Sequence, residues 1–140
     1  MSHLHASETP DIFSVIVHSW RRGGTTAFAF PIREHDQEGI ARYRDLYRAR
    51  LRTFIELLTC HGMQLAIEPA AGFFTLWLIP TRAFGTRVES AEHFNFMMIE
   101  ATGVVGVHFP GYMRYAVCAD IAAVARELEE AFKQAQVSYG

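Results

Sequence analysis

Apolar residues step along the middle of the chain by threes and fours: Ile40, Tyr43, Tyr47, Leu51, Phe54 and Leu58. Residues at that spacing share one face of a helix, so they predict a long helix with a single apolar stripe. Gly62 follows and suits the left-handed residue that closes a helix. The pattern then shortens. Gln64 to Glu68 reads as a short strand, Pro69-Ala70-Ala71-Gly72 breaks the chain, and Phe73 to Ile79 is an apolar strand rich in aromatic and β-branched residues. Pro80 to Arg87 reads as a loop. Ser90 is placed to cap a second helix, with Glu92 in its first turn, a stripe of Phe94, Met97, Met98 and Ala101, and Gly103 at its exit. Val104 to Phe109 and Tyr112 to Cys118 read as strands joined by Pro110-Gly111. Asp120 is placed to cap a last helix striped by Ile121, Val124, Leu128 and Phe132, with Lys133 near its carbonyl end.

Before residue 40 the pattern is more broken. Residues 1–11 are polar and read as a frayed terminus, which also accounts for His3 and His5 without a metal. Ile12 to Val17 reads as a buried strand, Arg21-Arg22-Gly23-Gly24 as a turn, and Thr25 to Phe30 as a second strand ended by Pro31, so this segment has the makings of a hairpin. From residue 40 the order is helix, two strands, helix, two strands, helix. That mixture predicts an α+β fold: one small mixed or antiparallel sheet with helices packed on one face. Residues 1–39 are then an N-terminal extension, and 40–140 one domain.

Composition narrows the function classes. The chain has 140 residues, half of them hydrophobic, and a formal charge of −2. The near-neutral balance offers no general field for nucleic acid. No apolar run reaches the roughly 20 residues that cross a bilayer, and the first residues lack a secretory pattern, so neither a membrane nor an export route is expected and the cytoplasm is the default. Cys60 and Cys118 are too few and too far apart for a disulfide framework, and read as buried thiols. The arginines Arg42, Arg44, Arg48, Arg50 and Arg52 on the long helix read as a solvated face, partly offset by Asp45 and Glu56. Of thirteen basic residues only Lys133 is a lysine.

No self-contained catalytic set emerges. The seven histidines lack metal spacing, Glu92-His93 lacks the second histidine of a zinc protease, and no Gly-Lys-Ser phosphate loop is present. Cys60 and His61 are adjacent on a helix and point apart. Ser14, Ser19 and Ser90 lack the context of a nucleophile elbow.

A series of short segments, in order, resembles the C-terminal small domain of the class I/II, fold type I pyridoxal-phosphate aminotransferases. These are Tyr47-Arg48-Ala49-Arg50, Pro69-Ala70-Ala71-Gly72-Phe73-Phe74-Thr75-Leu76-Trp77, Ser90-Ala91-Glu92-His93-Phe94, Glu100-Ala101-Thr102-Gly103-Val104 and Gly111-Tyr112-Met113-Arg114-Tyr115. The resemblance covers about the last two thirds of the chain. It implies that Arg114 descends from the arginine that binds the α-carboxylate of an amino-acid or keto-acid substrate. The residue types agree, since a guanidinium in an apolar strand needs a counterion or water and its planar fork matches a carboxylate. The resemblance also implies pyridoxal phosphate as cofactor, and here the sequence departs from it. The large domain that carries the cofactor's lysine is missing, and residues 1–39 are at most its remnant. Val15 to Arg22 faintly resembles the approach to that lysine, but aligns Arg22 with it, and arginine is a poor nucleophile. The connection Val107 to Gly111 is also shorter than in many relatives.

The expectation is a fragment or truncated relative of an aminotransferase that supplies Arg114, has no catalytic residue of its own and does not hold pyridoxal phosphate alone. The alternative is a non-catalytic interaction or oligomerisation module of the same fold. Eleven Phe, five Tyr and two Trp in a small chain point to an exposed apolar face, and so to a homo-oligomer or a covering partner.

Overall fold

The structure, a computed structural model, describes residues 34–140. The strands and turn read over 12–30, together with His3, His5 and Arg22, lie outside the described residues. Glu34–Gly140 forms one compact unit. Its elements in chain order are α1 (Glu34–Cys60), β1 (Leu65–Ile67), β2 (Phe74–Leu78), β3 (Arg82–Ala83), β4 (Thr86–Arg87), α2 (Ala91–Thr102), β5 (Val107–Phe109), β6 (Tyr112–Ala116) and α3 (Ala125–Ala135). The fold is α+β. β1, β2, β6 and β5 form one antiparallel sheet in the order β1-β2-β6-β5, and β3 pairs with β4 in a separate hairpin.

Helix α1 starts at Glu34, ahead of the first apolar step at Ile40, and runs for 27 residues. At 1.5 Å per residue it is about 40 Å long. A five-residue strand is only about 17 Å long. The helix therefore overshoots the sheet. Leu51, Phe54 and Leu58 are buried, Tyr47 packs at the margin, but Ile40 is 56% and Tyr43 57% exposed. The predicted stripe is a core stripe only in its second half. The helix ends in a Schellman motif: Gly62 takes φ +91°, the Met63 amide donates to Leu58 O at 3.0 Å, and the Gly62 amide to Thr59 O at 3.0 Å. Met63 and Leu58, the two apolar partners of that motif, are both buried.

Strand alternation sorts the sheet into two faces. Thr75 and Trp77 of β2, with Met113 and Tyr115 of β6, point inward and are buried. Against them pack Leu51, Phe54 and Leu58 of α1, Phe94 and Met98 of α2, and Phe132 of α3. Phe54 meets Trp77 and Tyr115 edge-on, with ring centroids 6.3 and 5.9 Å apart, and Phe132 meets Tyr115 at 6.1 Å. The helices occupy this one face, as the sequence pattern predicts.

Several local expectations are corrected. Residues 80–87 are not a plain loop: β3 and β4 form a hairpin whose turn residues, Phe84 and Gly85, take φ 52° and 72°. Two positive values in a two-residue turn match the right-handed twist of a hairpin, and the Phe84 amide is held by Ala135 O at 2.6 Å. Asp120 does not cap α3. Its Oδ1 accepts from the Ala123 amide at 3.3 Å, so it closes a turn, and α3 begins afterwards with Val124 as its N-cap residue. Val124 is accordingly exposed, while Ile121 and Phe132 are buried. In α2, Ser90 and Gly103 behave as read. Ser90 Oγ accepts from the His93 amide at 3.0 Å, and Gly103 takes φ 74°. Ala101 is exposed, however, and Asn95 takes a buried place in the core-facing side instead. Cys60 and Cys118 are both exposed. Cys60 stands about 200° around the helix from buried Leu58, and Cys118 follows the end of β6.

Candidate functional site

The second face of the sheet is open among the described residues. It carries Phe74, Leu76 and Leu78 from β2, Tyr112 and Arg114 from β6, and Val107 and Phe109 from β5, with Ile67 from β1 beyond them. The register sets their neighbours. Arg114 lies opposite Leu76 on one side and Val107 on the other, and Ile67 pairs with Leu76. Phe74 and Phe109 stand two residues along those flanking strands, within reach of a long side chain. The Arg114 guanidinium carbon lies 4.4 Å from the Phe74 ring centroid and 5.2 Å from that of Phe109. Two aromatic faces thus hold one cation, an electrostatic attraction to the ring quadrupoles that also excludes water from it.

Arg114 is half-buried, and its Nε is buried without a hydrogen-bond partner. Among the described residues it makes no ion pair. The guanidinium therefore sits on an open face, as a solvated arginine would, but it is clamped and under-bonded, as a solvated arginine is not. Arg50 corrects the reading of the helix arginines as uniformly solvated. It donates to Cys118 O at 2.8 Å and lies 5.7 Å from the Tyr47 ring centroid, so it ties α1 to the segment after β6. Arg42, Arg44, Arg48 and Arg52 are exposed, with Asp45 3.3 Å from Arg44 and 3.7 Å from Arg48.

The aromatic clamp is absent from the sequence reading. Strand parity alone puts Phe74 on the same side of β2 as Leu76. Its place beside Arg114 depends on β2 and β6 being neighbours, and no local pattern carries that. The remaining candidates stay apart. His61 Nε2 is 3.9 Å from Glu129, His93 Nδ1 accepts from the Glu89 amide at 3.2 Å, and no group of three His, Cys, Asp or Glu gathers among the described residues. A groove of about 480 Å³ lined by Arg82, Arg87 and Ser90 shares no residue with the Arg114 clamp, and Arg82 there is engaged with Gly85 O at 2.6 Å.

The chain's one lysine, Lys133, is exposed on α3. That helix packs on the inner face, so the sheet separates it from Arg114. No helix of the described residues is long and apolar enough to cross a membrane.

Behind Arg114, Tyr115 anchors the same strand from the inner face. Its hydroxyl is buried without a partner, and burial raises its pKa, with the nearby Tyr139 adding to the rise. Burial also raises Tyr139, opposed by the Gln64 amide that donates to it. For a group that is neutral when protonated, a raised folded value means that stability is complete below the unfolded tyrosine value of about 10 and is lost as pH rises above it. Tyr115→Phe removes the orphaned hydroxyl. The variant is expected to be no less stable at pH 7 and to lose stability less steeply above pH ~10, as read by urea denaturation across pH.

No family model matches the chain, and comparison with curated proteins and with solved structures returns no match.

Proposed function

We propose that this domain is the substrate-carboxylate half of an aminotransferase-like enzyme, with Arg114 as the carboxylate ligand. It is not competent alone. The lysine and the cofactor pocket belong to another domain, in the same or a separate polypeptide. The observation that carries the reading is the Arg114 guanidinium, held between Phe74 and Phe109 on an open sheet face with no acidic partner among the described residues. Side chains held this way lose little further freedom on binding, and a planar fork gives a carboxylate two parallel hydrogen bonds. A cytoplasmic setting suits the two exposed thiols, which stay reduced there.

The test is binding of a 2-oxo acid to the 140-residue chain, followed by calorimetry. Arg114→Gln is expected to weaken binding at least tenfold, about 1.4 kcal/mol. Equal binding by wild type and Arg114→Gln would overturn the reading.

The open face favours one second reading, a self-association module. Ile67 is 64% and Val107 47% exposed, beside Phe74, Leu78, Phe109 and Tyr112. Patches of this kind mark interaction surfaces. Sedimentation velocity over a hundredfold concentration range is expected to show dimers on that reading, and a monomer throughout removes it.

A further inference from the structure

We infer that the ligand of Arg114 is a monocarboxylate bearing an aromatic or bulky apolar side chain, and that dicarboxylates are disfavoured. The inference rests on the carboxylate reading and deepens it. Arg114 is the only charged residue in the four strands of the sheet, whose other members are apolar apart from Thr75, His108 and the hydroxyls of Tyr112 and Tyr115. Thr75 and Tyr115 face inward, and His108 pairs with inward-facing Met113, so its parity is that of the other face. The half-buried Arg50 is committed to Cys118 O. A second carboxylate on a ligand gripped by Arg114 would therefore lie over hydrocarbon with no cation to meet it among the described residues, and an unpaired charge loses its hydration there.

An apolar side chain meets the opposite conditions. Adjacent strands are about 4.8 Å apart, so Leu76 and Val107 lie about one strand from Arg114 on either side, and Ile67 about two. Phe74 and Phe109 flank the guanidinium itself. A phenyl or branched alkyl group attached near the carboxylate has a ready apolar row in each direction along the sheet. Ring against ring is the more favourable contact, because offset and edge-on aromatic pairs add to the area they bury.

The experiment compares phenylpyruvate, pyruvate and 2-oxoglutarate on the full chain by calorimetry. Wild type, Arg114→Gln, Phe109→Ala and Phe74→Ala are used, with far-ultraviolet circular dichroism confirming that each variant is folded. Phenylpyruvate is expected to bind at least tenfold more tightly than either other acid. Phe109→Ala or Phe74→Ala also loosens the clamp, so it is expected to weaken all three acids but phenylpyruvate most, shrinking that preference several-fold. Arg114→Gln is expected to weaken all three. If 2-oxoglutarate binds as tightly as phenylpyruvate and both depend on Arg114, the side-chain inference is overturned and the carboxylate reading stands. If binding does not depend on Arg114, or none of the three binds at millimolar concentration, both fall.

Discussion

Trp77→Ala is expected to cost about 3–5 kcal/mol, the range for removing a large aromatic side chain from a core. Trp77 is fully buried at the centre of the inner face, between Leu65 and Met113 in register and edge-on to Phe54. Its indole Nε1–H also donates to Thr75 Oγ1 at 2.8 Å, and that hydroxyl in turn donates to Tyr115 O at 3.3 Å. The alanine variant would leave a cavity lined by residues of the sheet and α1 and would strip Thr75, itself buried, of one partner. Domains of this size are stable by only about 5–15 kcal/mol, so the loss is a large fraction of the total. Urea denaturation followed by far-ultraviolet circular dichroism measures it without relying on indole fluorescence. Trp77→Phe keeps most of the packing and loses the hydrogen bond, so it should fall well short of the alanine loss. Similar midpoints for wild type and Trp77→Ala would mean that the inner face is not the principal core.

Asn95→Ala is expected to cost about 2–3 kcal/mol, because it strands two backbone groups at once. The Asn95 side chain donates through Nδ2 to Gly106 O at 3.0 Å and accepts through Oδ1 from the Gly106 amide at 3.1 Å, behaving like a short piece of neighbouring strand. Gly106 packs close against the inner-face side chains. A Cβ there would lie 2.5 Å from Met113 Cε and 2.7 Å from Tyr115 Cε1. The pair thus fixes where β5 begins, and β5 carries Val107 and Phe109 to Arg114. On the proposed carboxylate reading, Asn95→Ala should therefore also weaken 2-oxo acid binding, although Asn95 lies on the far side of the sheet. Hydrogen exchange at the Gly106 amide is the direct readout. An unchanged protection factor would show that the contact holds nothing in place.

What the sequence made legible was local. The cap at Ser90, the exit at Gly103 and the closure at Gly62 each depend on a residue and its immediate neighbours, and each is found where the pattern places it. The inward and outward parity of β2 and β6 follows from alternation. The pairings that needed distant information were not legible. The two-residue strands β3 and β4 are too short to show a period, so their hairpin read as a loop. Residues 121–124 carry helical spacing, yet Asp120 closes a turn there and α3 waits until Ala125. The stripe of α1 is uniform along the sequence, and only the short sheet beneath it decides that Ile40 and Tyr43 are left exposed. Arg114 stood out as a lone guanidinium in an apolar strand. Its clamp by Phe74 and Phe109 required the strand order, which the sequence does not print.

That strand order also sets how much chain each pairing must close. β1 with β2 and β5 with β6 are neighbours along the chain, and each pair can close as a hairpin on the microsecond scale. The central seam is different. It joins Thr75 to Tyr115 across 40 residues, with the β3–β4 hairpin and all of α2 in the intervening loop. Closing a loop of that length is the larger entropic step, and it is also the step that brings Trp77 beside Met113 and Phe74 beside Arg114. The inner core and the outer clamp therefore depend on the same long-range pairing, on opposite sides of one pair of strands.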